Sequence, residues 1–99
     1  MKSLIPIDKL QIKNPIKLDS GEYIDSCEVA FKTYGTLNAK KTNAILVCHA
    51  LSGDQFCSEI NPLTKKLGWW NILIGPGKVI DTNIFFVICS NVLGGCMGS

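Results

Sequence analysis

Two short runs of consecutive apolar residues dominate the hydrophobic pattern of this chain, Ala44–Cys48 and residues 84–89. Each run is too short for a surface helix and lacks the polar alternation of a half-exposed strand, which predicts strands buried on both faces. A buried helical segment stays open as an alternative for runs of this length. Doubly buried strands are typical of parallel sheets covered by helices, so the pattern indicates an α/β fold.

Upstream of these runs, the period of the pattern changes to two. Apolar and polar residues alternate over residues 16–19 and again within residues 22–34, where Val29 and Phe31 share one face. The Ser-Gly pair at 20–21 between them is a turn signal. Together they predict an antiparallel hairpin that leads into the buried strands.

The remaining segments set the predicted organisation of the chain. Residues 1–14 have no clear period and are interpreted as an N-terminal arm on the surface of something larger, with the core in residues 15–99. Residues 35–42 are predicted to be a loop, and residues 67–74 a short helix stopped by the glycines and proline at 75–77. So few helices cannot cover both faces of a parallel sheet. We therefore interpret the chain as the N-terminal portion of a larger α/β domain.

Composition narrows the class of protein. The chain has 99 residues, of which 46% are hydrophobic and 18% charged, as in globular domains. Its net charge is +2, and all ten cations are Lys. Because bidentate recognition of bases and phosphates requires Arg, nucleic acid is not expected as a partner. Pro6 and Asp8 interrupt the N-terminal apolar residues, and no run approaches the roughly 18 residues that span a bilayer, so neither a signal peptide nor a membrane span is predicted.

Cysteine usage favours a reducing, cytoplasmic compartment. The five cysteines are an odd number without a C-x-x-C pair, which suggests neither a disulfide framework nor a zinc site, and no metal is expected. Cys48 and Cys89 fall within the apolar runs and are predicted to be small buried residues.

Several catalytic and binding motifs can be excluded because the positions of the required residues do not match. The Gly-Pro-Gly-Lys segment at 75–78 lacks the earlier Gly and the following Ser or Thr of a phosphate loop, so it is predicted to be a turn. His49 is the only histidine, and strand geometry puts it on the opposite face from Cys48, which disfavours a Cys–His pair. A hydrogen-bonded His at the sheet edge is the better interpretation. No G-x-S-x-G elbow occurs, so a Ser–His–Asp triad cannot be assembled from this chain.

The segment after the first buried run is the candidate site. Ligands of open α/β sheets bind beyond the carboxyl ends of the strands, where residues 49–54 lie. A small-residue loop at this place can direct backbone N–H groups at a developing oxyanion. An ordinary tight connection is the alternative, and position alone favours it.

Several separate motifs then occur in an order that resembles the homoserine O-acetyltransferase family. The resemblance begins near residue 16 and continues to residue 99. The motifs are VAFKTYGTLN at 29–38, HALSGD at 49–54, GWW at 68–70, IGPGKVIDT at 74–82 and VICSNVLGGCMGS at 87–99.

The resemblance implies an α/β-hydrolase fold, in which an antiparallel hairpin leads into a mostly parallel sheet, represented here by its N-terminal portion before the nucleophile elbow. It implies acetyl transfer from acetyl-CoA, a co-substrate, to L-homoserine on the way to methionine, with no bound cofactor, in a cytoplasmic homodimer at full length. The family uses a Ser acyl-enzyme with a His and an Asp. These residues and a substrate-binding Arg follow the matching region, so none is assigned here, and the isolated chain is expected to be inactive.

The resemblance also implies roles for residues in this chain. The backbone N–H of Leu51 would be one oxyanion donor. Ser52 stands where Thr is common in the family, and Phe56 where His is common, which leaves details of the pocket open. Gly53 permits a positive φ and close approach, and Asp54 has a turn role as its alternative. The residues expected to line or brace the site are His49, Ser52, Gly53, Asp54 and Asn91.

The sequence leaves four alternatives to this function. Two are family members with a different substrate, either a succinyl donor or L-serine as the acceptor. A third is a hydrolase on the same fold, in which water accepts the acyl group. The fourth is a non-catalytic stub that acts only as an interaction module or does not fold.

Overall fold

A computed structural model describes residues 7–99, which contain eight strands and no helix. The strands are β1 (Asp8–Ile12), β2 (Ile16–Lys17), β3 (Tyr23–Ile24), β4 (Cys27–Tyr34), β5 (Ala44–Cys48), β6 (Ile74–Gly75), β7 (Ile80–Asp81) and β8 (Phe86–Ser90). No helix in this part of the chain has the length and apolar character needed to cross a membrane.

Four of these strands form a mixed sheet in the order β1-β4-β8-β5. β4 pairs antiparallel with both β1 and β8, whereas β5 pairs parallel with β8. In this register Val87 of β8 lies between Tyr34 of β4 and Ile45 of β5. The parallel pair brings the carboxyl ends of β5 and β8 to the same edge of the sheet.

Both apolar runs are strands, as the pattern predicts, but neither is buried on both faces. β8 is central and buries Val87 and Cys89, whereas β5 is at the sheet edge and leaves Leu46 64% exposed. Cys48 is exposed as well, which corrects its prediction, while Cys89 is buried as predicted. An apolar run shows that a strand consists of apolar residues. It does not show whether other parts of the chain pack against both faces of that strand.

The predicted antiparallel hairpin is present but is shorter than predicted. β2 and β3 pair over two residues each, while the long strand β4 takes β1 and β8 as its partners. Residues 8–12, predicted to lie in an arm, are therefore an edge strand of the main sheet. The pairing is supported by a 3.2 Å salt bridge between Lys9 Nζ and Glu28 Oε2. The first six residues of the predicted arm lie outside the described residues.

The predicted helix over residues 67–74 is absent, and the segment forms turns. Three of its backbone N–H groups make turn hydrogen bonds within the segment, and two others bond to a neighbouring segment. The N–H of Gly68 donates to the carbonyl of Glu59 at 2.7 Å, and that of Trp70 to the carbonyl of Cys57 at 2.8 Å. Tertiary hydrogen bonds thus override the local helical preference.

One face of the main sheet carries the core. Buried side chains of β4, β5 and β8 pack there against residues from the loops that follow β5. The members of this core are Tyr34, Val47, Cys57, Ile74, Val87 and Cys89.

The opposite face of the main sheet is an apolar groove of about 310 Å³. It is lined by Leu10, Val29, Phe31, Thr33, Phe86, Ile88 and Ser90. We call this surface the bare face. Uncovered apolar surface of this kind and the open edge at β5 favour association between chains.

The isolated 99-residue chain is accordingly predicted to aggregate or to be molten. Its hydrophobic dye binding should be strong and its thermal transition broad, since the bare face has no cover within residues 7–99. The measurement is dye binding and amide hydrogen exchange on the purified chain. A sharp cooperative transition with protected amides in Ala44–Cys48 would contradict this prediction.

Candidate active site at the ends of the parallel strands

The candidate site lies where β5 and β8 end side by side. The loop that follows β5, residues 49–53, contains His49, and the loop that follows β8, residues 91–99, begins with Asn91. Both side chains are buried. The structure therefore brings together two of the residues that the sequence predicts to line or brace the site.

His49 links the two loops through both of its ring nitrogens. The backbone N–H of Val92 donates to Nε2 at 3.0 Å, and Asn91 Nδ2 lies 3.3 Å from the same nitrogen. Nδ1 lies 2.6 Å from the carbonyl oxygen of Ala50. Because Nε2 must accept the Val92 N–H, the proton is assigned to Nδ1, which donates to Ala50. His49 thus has the predicted place of a hydrogen-bonded His at the sheet edge.

A tight turn over residues 50–53 follows His49 directly. The N–H of Gly53 donates to the carbonyl of Ala50 at 2.8 Å, so this carbonyl accepts both the turn hydrogen bond and the His49 ring. Leu51 and Ser52 are the two central residues. The Leu51 side chain is 100% exposed, and within residues 7–99 its backbone N–H has no acceptor. This N–H is free to bind an atom from outside the turn.

Position 53 requires glycine because its backbone lies close to the His49 side chain, and not because its φ angle is positive. A Cβ built on Gly53 would lie 2.9 Å from the Cβ of His49 and 3.2 Å from its Nδ1. The φ angle of Gly53 is not among the positive ones, so the expected use of left-handed backbone does not apply there. The absent side chain lets the turn fold back against the imidazole.

Asn91 organises the second loop. It is only 1% exposed, and its Oδ1 accepts the N–H of Met97 at 3.0 Å. Its carbonyl accepts the Ser99 hydroxyl at 2.7 Å, and that hydroxyl in turn accepts the N–H of Ala30 at 2.9 Å. Asn91 therefore connects His49, the 91–99 loop and, through Ser99, strand β4.

Replacing Asn91 with Ala is predicted to reduce the free energy of unfolding by about 2–4 kcal/mol, since buried polar partners lose their hydrogen bonds. The measurement is denaturant unfolding of the full product of the reading frame that contains this chain, here called the full-length product. Asn14→Ala, at an exposed position, is the control and should change stability by less than about 0.5 kcal/mol. Equal stability of the two variants would contradict the role of Asn91.

A cavity of about 330 Å³ opens beside the 50–53 turn. Ser52, Gly53 and Asp54, all predicted site residues, line it, and Asp54 also fulfils its alternative role. One oxygen of its carboxylate accepts the N–H of Phe56 at 2.9 Å, which is a turn hydrogen bond. The indole N–H of Trp69 donates to the Asp54 carbonyl at 2.9 Å and fixes one wall of the cavity.

The buried Cys89 thiol and Tyr34 phenol near the core offer no nucleophile. The hydrogen bond to Cys57 and burial raise the pKa of the Cys89 thiol, which stays protonated at neutral pH. Burial likewise raises the pKa of the Tyr34 phenol. Neither ring nitrogen of His49 bonds to Cys48 or Cys57 within the described residues. Over residues 7–99, no three His, Cys, Asp or Glu side chains gather as metal ligands would.

Sequence reasoning missed Gln55, Lys66 and Trp69 at this site. Gln55 is fully buried and donates from Nε2 to the carbonyl of Met97 at 3.1 Å, which joins the segment after the 50–53 turn to the 91–99 loop. Lys66 and Trp69 reach the cavity from a distant part of the chain. Irregular segments have no periodicity to reveal such contacts.

The fold is shared with solved enzymes. Homoserine O-acetyltransferase from Bacillus anthracis matches with a TM-score of 0.77 and 36% identity, over 91% of this chain and 24% of that one. Esterase E22 matches with a TM-score of 0.76 and 33% identity, over 91% of this chain and 25% of that one. The mixed sheet with its loops at the strand ends is thus the N-terminal portion of an α/β-hydrolase fold.

Sequence comparison makes the relationship more specific. The homoserine O-acetyltransferase of Mesorhizobium japonicum is 57% identical over 94 residues, which are 95% of this chain and 24% of that protein. No protein-family model matches the chain. The chain spans about a quarter of the length of the curated relatives it matches. The resemblance seen in the motifs is confirmed, and the chain is a relative of the homoserine O-acetyltransferases.

Proposed function

We propose that the protein containing this chain transfers an acetyl group from acetyl-CoA to the hydroxyl of L-homoserine. In this proposal, Leu51 contributes one backbone N–H to the oxyanion hole. The observation that carries it is the 50–53 turn, which leaves that N–H without an acceptor within the described residues while His49 holds the turn from behind. A preorganised N–H of this kind stabilises a tetrahedral intermediate without reorganisation during the reaction.

The reaction would follow the acyl-enzyme route. A Ser attacks the thioester carbonyl, and the resulting oxyanion accepts the Leu51 N–H and a second N–H beside that Ser. CoA leaves as the thiol, and the homoserine hydroxyl then attacks the acyl-enzyme to give O-acetylhomoserine. The Ser and its His and Asp partners are supplied from outside these 99 residues. His49 is not the catalytic base in this scheme, because both of its ring nitrogens bind backbone groups.

An ester hydrolase is the second candidate, favoured by the match to esterase E22. An oxyanion hole serves both reactions, and the difference is whether water or homoserine accepts the acyl group. A succinyl donor and L-serine as acceptor are further variants that the described residues do not distinguish. A non-catalytic role for the chain would give no turnover with any of these substrates.

The test is an assay of the full-length product with acetyl-CoA, in the presence and absence of L-homoserine. CoA release and the acetylated product are both measured. We expect CoA release that depends on homoserine, with O-acetylhomoserine as the product. Acetate as the main product would establish the hydrolase, and greater turnover of succinyl-CoA or L-serine would establish one of the variants.

We propose that the protein is cytoplasmic and homodimeric and has no bound cofactor. The five free cysteines support a reducing compartment. The homodimer and the absence of a cofactor rest on the family resemblance alone. Light scattering of the full-length product during size exclusion tests the dimer.

A further inference from the structure

The cavity beside the 50–53 turn lies between that turn and a second structured element. Its lining includes Ser52 and Gly53 of the turn and Asn61, Thr64 and Lys66 of the second element. Its volume, about 330 Å³, falls within the range typical of ligand sites, roughly 300–1,000 Å³. Leu51 itself does not line the cavity, but its chain neighbours Ala50 and Ser52 do, so a ligand bound at the Leu51 N–H would adjoin the cavity that contains Lys66.

The second element is a small hairpin over residues 60–67, closed by an antiparallel bridge between Ile60 and Leu67. Asn61 at its base is buried, and its Oδ1 accepts the N–H of Leu63 at 2.9 Å. The N–H of Asn61 donates to the carbonyl of Lys66 at 2.8 Å. The backbone that carries Lys66 is thus held in place beside the cavity.

The lining combines an apolar wall with a single cation. Phe56, Leu67 and Trp69 supply the apolar surface, and Lys66 is the one basic residue among the lining residues. Within residues 7–99, Lys66 Nζ has neither a salt bridge nor a hydrogen bond. The one acidic lining residue, Asp54, binds the Phe56 N–H through its carboxylate. The Lys66 cation is therefore available to an anionic ligand.

We propose that this cavity receives the acyl donor and that Lys66 binds a phosphate group of that donor. The inference rests on the proposed function and deepens it. A CoA thioester has its reactive carbonyl at one end of an extended arm and its phosphates toward the other. A partly apolar cavity that adjoins the oxyanion donor and includes one cation is compatible with this arrangement, and Lys is a common phosphate ligand. The carboxylate of the amino-acid acceptor is the rival anion, and the experiment separates the two.

The experiment compares Lys66→Ala with Lys65→Ala in the full-length product. Lys65 is the adjacent cation and does not line the cavity, so it controls for the general loss of positive charge. The measurements are kcat and KM for acetyl-CoA, KM for L-homoserine, and kcat/KM for S-acetylpantetheine, a donor without phosphate. Lys66→Arg and Lys66→Gln provide the conservative and the neutral replacement of similar length.

In Lys66→Ala and Lys66→Gln, we expect KM for acetyl-CoA to rise about five- to tenfold, as for the loss of one charge-assisted contact. KM for homoserine, kcat and the use of S-acetylpantetheine should stay within twofold of wild type. Lys66→Arg should restore most of the affinity, and Lys65→Ala should resemble the wild type. The Lys66 effect should also diminish at high salt, since ionic strength screens an exposed charge.

Other outcomes overturn the inference in distinguishable ways. An unchanged KM for acetyl-CoA in Lys66→Ala, or an equal shift in Lys65→Ala, removes Lys66 as a phosphate ligand and leaves the proposed function standing. A selective rise in KM for homoserine assigns Lys66 to the acceptor carboxylate instead. A wild-type product that releases no CoA with homoserine defeats the proposed function, and this inference with it.

Discussion

Replacing Leu51 with Pro in the full-length product is expected to lower kcat for acyl transfer by about a hundred- to a thousandfold, because it removes one oxyanion donor. Pro has no backbone N–H, and it is favoured at the second position of a common β-turn, which is the place of Leu51 in the 50–53 turn. The Leu51 side chain is fully exposed, so the substitution disturbs no packing within the described residues. The loss should appear in kcat, with KM for either substrate little changed.

Leu51→Ala is the matched control, since it removes the side chain and keeps the N–H. Its kcat should lie within about threefold of the wild type, because an exposed side chain contributes little to either state. Thermal unfolding of both variants shows whether the turn is intact. If Leu51→Pro folds and retains full kcat, the oxyanion role of Leu51 is wrong.

Gly35→Ala is expected to cost the full-length product about 3–5 kcal/mol of stability, through overpacking and left-handed backbone strain together. Gly35 directly follows β4 and has a φ of 84°. A Cβ there would overlap the carbonyl oxygen of Phe85 and lie 2.8 Å from that of Thr82. Both obstacles are backbone atoms just before β8, so relief would require moving β4 away from β8.

Gly77→Ala separates the two causes. Gly77 has a similar φ of 72°, but a Cβ at this position meets nothing within 4 Å. Its cost should be about 1–2 kcal/mol, which is the strain alone. Denaturant unfolding of both variants gives the comparison, and equal losses would show that the contact of Gly35 with the 82–85 segment is unimportant.

Local pattern was enough to predict the parallel pair and the site beside it. The apolar run Ala44–Cys48 and its abrupt change to small and polar residues placed a strand and a loop in their observed positions. His49 follows this run, so the rule that sites lie at carboxyl ends placed it at the candidate site, whereas Asn91 was predicted there only by the family resemblance. These features depend on residues that are neighbours in sequence.

The sequence-based predictions that proved wrong concern contacts between residues that are distant in the sequence. β1 lacks any period, and its place beside β4 is visible only through partners such as Glu28. Turns replace the predicted helix over residues 67–74, and two N–H groups of this segment bond to the carbonyls of residues 57 and 59. The exposure of β5 depends on which other segments pack on the sheet, and a local apolar run does not reveal this packing.

The same limit applies within the site. The buried Gln55 and the cavity residue Lys66 belong to an irregular segment, and only the folded chain shows their contacts with the 91–99 loop and the cavity. The role of Leu51 came from the family motif, since its position alone favoured an ordinary turn. The structure supplies a physical argument for it, because the turn leaves that N–H without an acceptor within residues 7–99.

The most direct test of the central claim is a CoA-release assay on the purified 99-residue chain beside the full-length product, with acetyl-CoA and with or without L-homoserine. In the proposed mechanism this chain contributes one half of an oxyanion hole and no nucleophile. We therefore expect homoserine-dependent release by the full-length product and none by the short chain. Release by the short chain would reveal a nucleophile within these residues and contradict the account of the site.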